Sequence, residues 1–157
     1  MNYKVIGKFI SKMLFVEAVF MVPPFIISIY DREKPAVAGF LGAILITVLL
    51  SLILYFTCKK AKQRFFAKEG LVCVGLSWIV LSFLGGLPFY ISKEIPSFID
   101  ALFEIVSGFT TTGASILTDV EAMSRGLLYW RSFSHWLGGM GILVFVLAIA
   151  PADGRSN

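Results

Sequence analysis

The sequence predicts an all-α integral membrane protein, with two leading transmembrane helices followed by one helix–pore loop–helix unit. Hydrophobic residues make up 57% of the chain and charged residues only 15%, below the roughly 25% of a soluble domain. Residues 36–57 contain no charge and no proline, and as a helix they are long enough to cross a bilayer core about 30 Å thick. A small polar segment, residues 110–115, lies between apolar segments. A bilayer tolerates non-helical backbone only where protein buries it or where it lines water.

Residues 1–70 are expected to form the two leading helices and a basic connector. The first helix should cover residues 8–30 and kink at Pro23-Pro24, and the second should cover residues 36–58. A short turn with balanced charges joins them, and residues 59–68 form the connector, whose Phe65-Phe66 pair should lie at the lipid interface. Glu17 interrupts the first helix and is a candidate functional group, although a side chain that snorkels to the cytoplasmic interface is the simpler interpretation.

Basic residues predict the orientation of the chain. Nine lysines and arginines fall on the side that this topology makes cytoplasmic: Lys4, Lys8, Lys12, Lys59, Lys60, Lys62, Arg64, Lys68 and Arg155. This positive-inside bias predicts a multi-pass protein of the cell (inner) membrane with both ends in the cytoplasm. The net charge of +4 does not indicate nucleic acid, because the basic residues flank membrane segments. Cys58 and Cys73 flank the connector and are expected to be thiols in that reducing compartment.

Residues 71–157 are expected to form the pore unit. A helix over residues 71–91 should bend or stop near Gly85-Gly86 and Pro88. A short helix over residues 97–109 follows, with Ser97 as its cap and Asp100 in its first turn. At about 18 Å it spans roughly half the membrane, and the negative end of its dipole favours a cation. The last span should cover residues 127–150.

The loop after the short helix is the candidate cation filter. Its predicted ligands are the backbone or hydroxyl oxygens of Thr110, Thr111, Thr112, Gly113 and Ala114. Carbonyl oxygens replace the water around an ion without binding it too tightly to release it, and Gly113 reaches the unusual dihedral angles that such a loop requires. Asp119 and Glu121 follow on the outer return, where they either concentrate cations or are ordinary solvated charges.

Two motifs resemble the Trk/Ktr/HKT potassium transporter family. They are Phe109-Thr110-Thr111-Thr112-Gly113-Ala114-Ser115 and Phe133-Ser134-His135-Trp136-Leu137-Gly138-Gly139-Met140-Gly141. Together with the two leading helices, they resemble the amino-terminal part of the Trk branch. The resemblance implies a pore of four such units, of which this chain holds the first, with Gly113 as its filter glycine and potassium as the transported ion. It also implies a homodimer of pore subunits and a cytoplasmic nucleotide-binding regulatory subunit.

Other interpretations of the polar residues stay open at the level of sequence. His135 is a candidate proton or ion site, but a hydrogen bond between helices is the simpler expectation. Arg131 is a candidate for the filter vestibule, but a side chain that snorkels at the outer edge is the simpler expectation. The glycines after residue 137 are expected to allow close helix packing. Ser115 with His135 suggests an intramembrane hydrolase, but no oxyanion site is evident. A structural membrane subunit without a pore is the third alternative.

Overall fold

The computed structural model describes residues 3–59 and 67–149, and within them every regular element is an α-helix. Seven helices occur in this part of the chain: α1 (Tyr3–Phe20), α2 (Val22–Tyr30), α3 (Lys34–Cys58), α4 (Ala67–Gly85), α5 (Leu87–Ile91), α6 (Phe98–Phe109) and α7 (Arg125–Ile149). Three helical stretches are long and apolar enough to cross a membrane: Tyr3–Tyr30, Lys34–Cys58 and Gly70–Ile91. The 25 residues of α7 also reach the length of a span. The predicted all-α membrane class is confirmed.

Prolines and glycines break the long helical stretches where the sequence predicts. The first stretch is interrupted at Met21 and resumes as α2, which has proline in its first turn. The interruption between α4 and α5 falls at Gly86, just before Pro88. Proline has no amide hydrogen to donate to the preceding turn. One carbonyl beside the second break, that of Gly85, accepts a hydrogen bond from Trp130 Nε1 at 2.9 Å.

Two predicted helix starts are wrong. The first helix begins at Tyr3, before residue 8, and α4 begins at Ala67, before residue 71. Both extensions add turns that carry lysine, because a lysine favours a helix almost as much as an apolar residue. Of the connector, Lys59 forms a turn, and residues 60–66, including Phe65-Phe66, lie outside the described residues.

Small residues bring α1 and α3 close together. Ser11 Oγ donates to the carbonyl of Ser51 at 2.9 Å, and Ser51 Oγ donates to the carbonyl of Ser11 at 2.8 Å. Nearby, a side chain at Gly7 would place its Cβ only 2.6 Å from Cys58 Sγ. Both cysteines lie in the described part of the chain, and neither forms a disulfide. The leading helices therefore form a tightly packed hairpin.

One buried core joins this hairpin to the rest of the chain. Side chains from both predicted segments, 1–70 and 71–157, belong to it: Met21, Phe40, Phe89, Ile105, Leu127 and Trp130. Trp130 and Phe40 are completely buried. The division of the chain at residue 70 stays a prediction.

The reciprocal serine pair yields a test of the hairpin. Ser51→Ala removes one interhelical hydrogen bond, the one that Ser51 Oγ donates to the Ser11 carbonyl, so the free energy of unfolding should fall by about 1 kcal/mol. Thermal or denaturant unfolding in detergent measures it. Ser82→Ala is the matched control, because the hydrogen bond that Ser82 Oγ makes in the described residues goes to the Trp78 carbonyl of its own helix. An equal loss in both variants would contradict the interhelical role.

Candidate cation-filter loop

The short helix α6 begins and ends as its sequence predicts. Ser97 has extended backbone angles, and its hydroxyl accepts the amide of Asp100 at 3.4 Å, which is the geometry of an amino-terminal cap. The helix has 12 residues and ends at Phe109. Beyond it, Thr111 and Gly113 have positive φ angles of 56° and 75°, so the chain cannot continue as a right-handed helix.

The amides of the loop point back to α6. Four of them donate to its last carbonyls: Thr110 to Val106 at 2.9 Å, Thr111 to Gly108 at 2.9 Å, Thr112 to Ser107 at 3.0 Å and Gly113 to Ser107 at 3.4 Å. Because the C=O of a trans peptide points opposite to its N–H, the carbonyls of Thr110, Thr111 and Thr112 face away from α6. Among the described residues, no group donates a hydrogen bond to the carbonyls of Thr111, Thr112 or Gly113. The loop therefore presents free backbone oxygens.

The loop's hydroxyl groups hold its shape. Thr110 Oγ1 donates to the Val106 carbonyl at 2.8 Å and lies 2.8 Å from Thr112 Oγ1. Ser107 Oγ donates to the Ala114 carbonyl at 2.6 Å. Residues 110–114 are all exposed. Since the threonine hydroxyls are engaged locally, backbone carbonyls are the better candidate ligands.

Position 113 requires glycine because of its backbone conformation and not because of a lack of space. A Cβ added at this position would meet nothing within 4 Å. The positive φ of 75° is costly for residues with a Cβ and least costly for asparagine or aspartate.

Glu104 holds the return segment of the loop through hydrogen bonds. This role was not predicted from the sequence. This α6 carboxylate is 1% exposed and accepts hydrogen bonds from Ser115 Oγ at 2.9 and 3.0 Å and from the Ile116 amide at 3.2 Å. On its other side, Arg131 Nε of α7 donates to it at 2.5 Å. An ionisable residue in a short apolar helix was the available signal.

The same pair corrects the prediction for Arg131. Its side chain is only 15% exposed, and it points to Glu104 instead of snorkelling to the outer edge. The carboxylate supplies a counter-charge inside the protein, which removes the reason for the guanidinium to seek water.

The glycines of α7 let this helix approach α6 and α4 closely. A Cβ at Gly138 would overlap the Phe109 carbonyl, and one at Gly141 would lie 3.0 Å from Trp78. Close packing is confirmed at these two positions. Around Gly139 there is more room, since the nearest atom, Thr111 Cγ2, would be 3.8 Å away.

His135 and Ser115 do not form a catalytic pair. His135 Nδ1 lies 2.9 Å from the carbonyl oxygen of Arg131 in its own helix, so the predicted interhelical hydrogen bond is wrong. Ser115 Oγ instead donates to Glu104. The next two acidic residues, Asp119 and Glu121, are exposed, and Asp119 Oδ1 accepts the amide of Glu121 at 3.1 Å, as expected for a solvated turn.

Both carboxylate oxygens of Glu17 are buried and have no hydrogen-bond partner in the described residues. Its side chain is 4% exposed, and Oε1 lies against Gly85, where a Cβ would be 3.0 Å away. The side chain also lines a cavity of about 420 Å³ between α1, α4 and α7. The expectation that Glu17 snorkels is therefore wrong, because its side chain points towards α4 and α6 instead of the membrane edge.

A loop with free carbonyls, supported by a short helix between longer apolar helices, is a feature of polytopic helical membrane proteins. Within that class, the chain belongs to the TrkH cation transport protein family, whose model matches residues 37–157. This confirms the resemblance seen in the two sequence motifs. The family is one of transporters, so the hydrolase alternative is dropped.

Three relatives illustrate the similarity. The chain is 34% identical over 135 residues to the Trk system potassium uptake protein TrkG of Escherichia coli K12, covering 85% of this chain and 28% of that protein. It is 34% identical over 155 residues to TrkH of Halomonas elongata, covering 98% and 32%. The crystal structure of the potassium transporter TrkH from Vibrio parahaemolyticus superimposes with a TM-score of 0.88 at 30% identity, covering 99% and 33%. The chain thus spans about a third of the length of these relatives.

The ion pair under the loop leads to a stability prediction. Glu104→Gln leaves Arg131 buried without its counter-charge, so we expect a loss of about 3–5 kcal/mol in the free energy of unfolding. The double variant Glu104→Gln with Arg131→Met should recover part of that loss, because the buried charge is gone. Unfolding of the four proteins of this cycle measures the coupling. A coupling near zero, or a comparable loss in the exposed control Asp119→Asn, would contradict the assignment.

Substitution of Glu17, whose carboxyl has no partner in the described residues, is expected to raise stability instead of lowering it. Glu17→Met keeps a similar volume and removes a buried polar group without partners, so the chain should gain about 1–3 kcal/mol in stability. The measurement is the unfolding midpoint in detergent. Val19→Met, at an exposed position of the same helix, should change it little. A clear loss of stability in Glu17→Met would show that the carboxyl has a stabilising partner.

Proposed function

We propose that this segment supplies the first of four filter loops in a potassium uptake protein of the cell (inner) membrane. In this proposal, potassium is bound by backbone oxygens of residues 110–114 as it crosses a channel-like pore. The observation that carries it is the geometry of the loop. Its amides are bonded to α6, while the carbonyls of Thr111, Thr112 and Gly113 have no donor in residues 3–59 and 67–149.

Free carbonyls suit a monovalent cation for a physical reason. They replace the hydration shell with partial charges, so the ion is held but also released. The carboxyl end of α6 adds its negative dipole end, and residues 110–115 contain no full negative charge that would hold a divalent ion. Membrane potential would contribute about 2.3 kcal/mol per 100 mV to inward movement.

The names of the relatives support potassium as the proposed ion. Proteins similar to this chain along nearly its whole length are named potassium uptake proteins or a potassium transporter. Since the chain spans about a third of their length, the three further pore units would come from the rest of the protein. A homodimer of pore subunits, a cytoplasmic nucleotide-binding regulatory subunit and cytoplasmic positions for both ends complete the proposal.

Substitutions at Gly113 test the filter. Gly113→Val must adopt a positive φ at a cost of about 1–2 kcal/mol, so uptake should fall roughly tenfold. Gly113→Asp tolerates that φ better but adds a full charge that holds the ion, and it should abolish transport. Gly113→Asn, of the same shape without the charge, should retain more uptake than either. Rubidium uptake in potassium-uptake-deficient cells measures all three.

The experiment should use both the complete transporter and this chain alone. Unchanged rubidium flux with Gly113→Asp in the complete protein would refute the filter assignment and favour a structural membrane subunit without a pore. Uptake by the membrane-inserted chain alone would mean that separate copies assemble their loops. No uptake by the chain alone, together with a glycine-dependent complete protein, would mean that the other units are required.

A further inference from the structure

The leading helical hairpin contacts the amino terminus of α7 through its outer turn. The carboxylate of Glu33, between α2 and α3, accepts the amides of Arg125 at 2.9 Å and Gly126 at 3.4 Å. Arg125 Nη1 also lies 3.3 Å from Asp31 Oδ2. The first amides of a helix have no partner within the helix, and a carboxylate there also complements the helix dipole. Glu33 thus caps α7 from a distant part of the chain.

The residue in the usual capping position does not perform this role. Ser124 directly precedes α7, and serine is a favoured cap. Its hydroxyl is buried and has no hydrogen-bond partner in the part of the chain that the structure describes, while its amide donates to Glu94 Oε2 at 3.0 Å. The start of α7 is therefore held by carboxylates of other segments.

A second contact of the hairpin with α7 is steric. Gly126 is buried against α2, and a Cβ there would overlap Ser28 Oγ and lie 2.8 Å from the Pro24 carbonyl. Ser28 Oγ is itself bonded to that carbonyl at 3.0 Å. Backbone and a bonded hydroxyl cannot give way easily, so the contact sets the distance between the two helices.

Helix α7 carries this position to the candidate filter. Arg131 lies five residues after Gly126, about 7.5 Å along the helix axis. It is bonded to Glu104, which holds Ser115 and Ile116 on the return from the loop. A shift at the start of α7 would therefore displace the guanidinium that supports the loop.

We infer that the leading hairpin is an outer brace for the filter, in which Glu33 and Gly126 are positioning residues that act on the loop through α7, Arg131 and Glu104. The inference goes beyond the proposed function by giving the two leading helices a role in it. The role of the loop as a filter rests on that proposed function. The mechanical connection between the hairpin and residues 110–116 does not rest on it.

Hydrogen exchange of the chain in lipid nanodiscs tests the brace without requiring transport. Glu33→Gln removes the charge of the cap, and Gly126→Ala pushes α7 away from α2. In both variants, the amides of Thr111, Thr112, Gly113 and Ile116 should exchange roughly tenfold faster, which corresponds to about 1.4 kcal/mol. Glu121→Gln and Gly75→Ala are the matched controls, since Glu121 is exposed and a Cβ at Gly75 meets nothing within 4 Å.

Further variants separate the brace from a general loss of stability. Ser51→Ala weakens the α1–α3 contact and should leave exchange at residues 110–116 unchanged. If Glu33→Gln and Gly126→Ala fail to fold, Asp31→Asn removes only the bridge to Arg125, and a smaller acceleration at the same amides is expected. Acceleration confined to residues 125–128 in Glu33→Gln or Asp31→Asn would overturn the brace and leave a local cap. Failure of the proposed filter would instead appear as unchanged rubidium flux in Gly113→Asp.

Discussion

The geometry of the candidate filter depends on one buried carboxylate. Glu104 lies on the short helix α6, yet it bonds the return segment at Ser115 and Ile116 and the arginine of α7 at residue 131. It therefore joins the three segments that surround the loop. A buried charge is costly unless it is paired and its lone pairs are satisfied, and both conditions hold here. The same cost makes the arrangement specific, because any other packing of these segments would leave a charge unpaired in an apolar environment.

Close approach of helices is the second condition, and it comes from small residues. The Phe109 carbonyl, at the end of α6, rests on Gly138 of α7, and Gly126 of the same helix rests on α2. In a bilayer, helices gain little from burying apolar surface and associate through close packing and interhelical hydrogen bonds. The serine pair Ser11 and Ser51 serves the hairpin in the same way. Exposed apolar side chains on the outer faces are then the expected lipid or subunit contacts.

Backbone polar groups at the loop and at the helix ends have hydrogen-bond partners on other segments or on the neighbouring helix. Loop amides are bonded to α6, the start of α7 is capped by Glu33, and the break after α4 is covered by Trp130. Among the described residues, the carbonyls of Thr111, Thr112 and Gly113 have no donor, and in the proposed function an ion takes the place of that donor. Some buried side-chain atoms also have no hydrogen-bond partner in the described residues. They include both carboxylate oxygens of Glu17, beside the bend of α4, and the hydroxyl of Ser124.

The sequence by itself determined the membrane class, the breaks at the prolines, the cap at Ser97 and the location of the loop, because these follow from local hydropathy, backbone conformation and the short range of a cap. The unusual backbone conformation of Gly113 could also be predicted, since a positive φ is a local requirement. Only the tertiary structure decided the roles of Glu104, Arg131, Glu33 and Glu17. Each is a charged residue in or beside an apolar helix, and whether it has a partner depends on which other segments pack against it. Hydropathy and spacing report how far a charge is from the membrane edge, whereas the three-dimensional packing of the helices decides whether a counter-charge or donor is within reach.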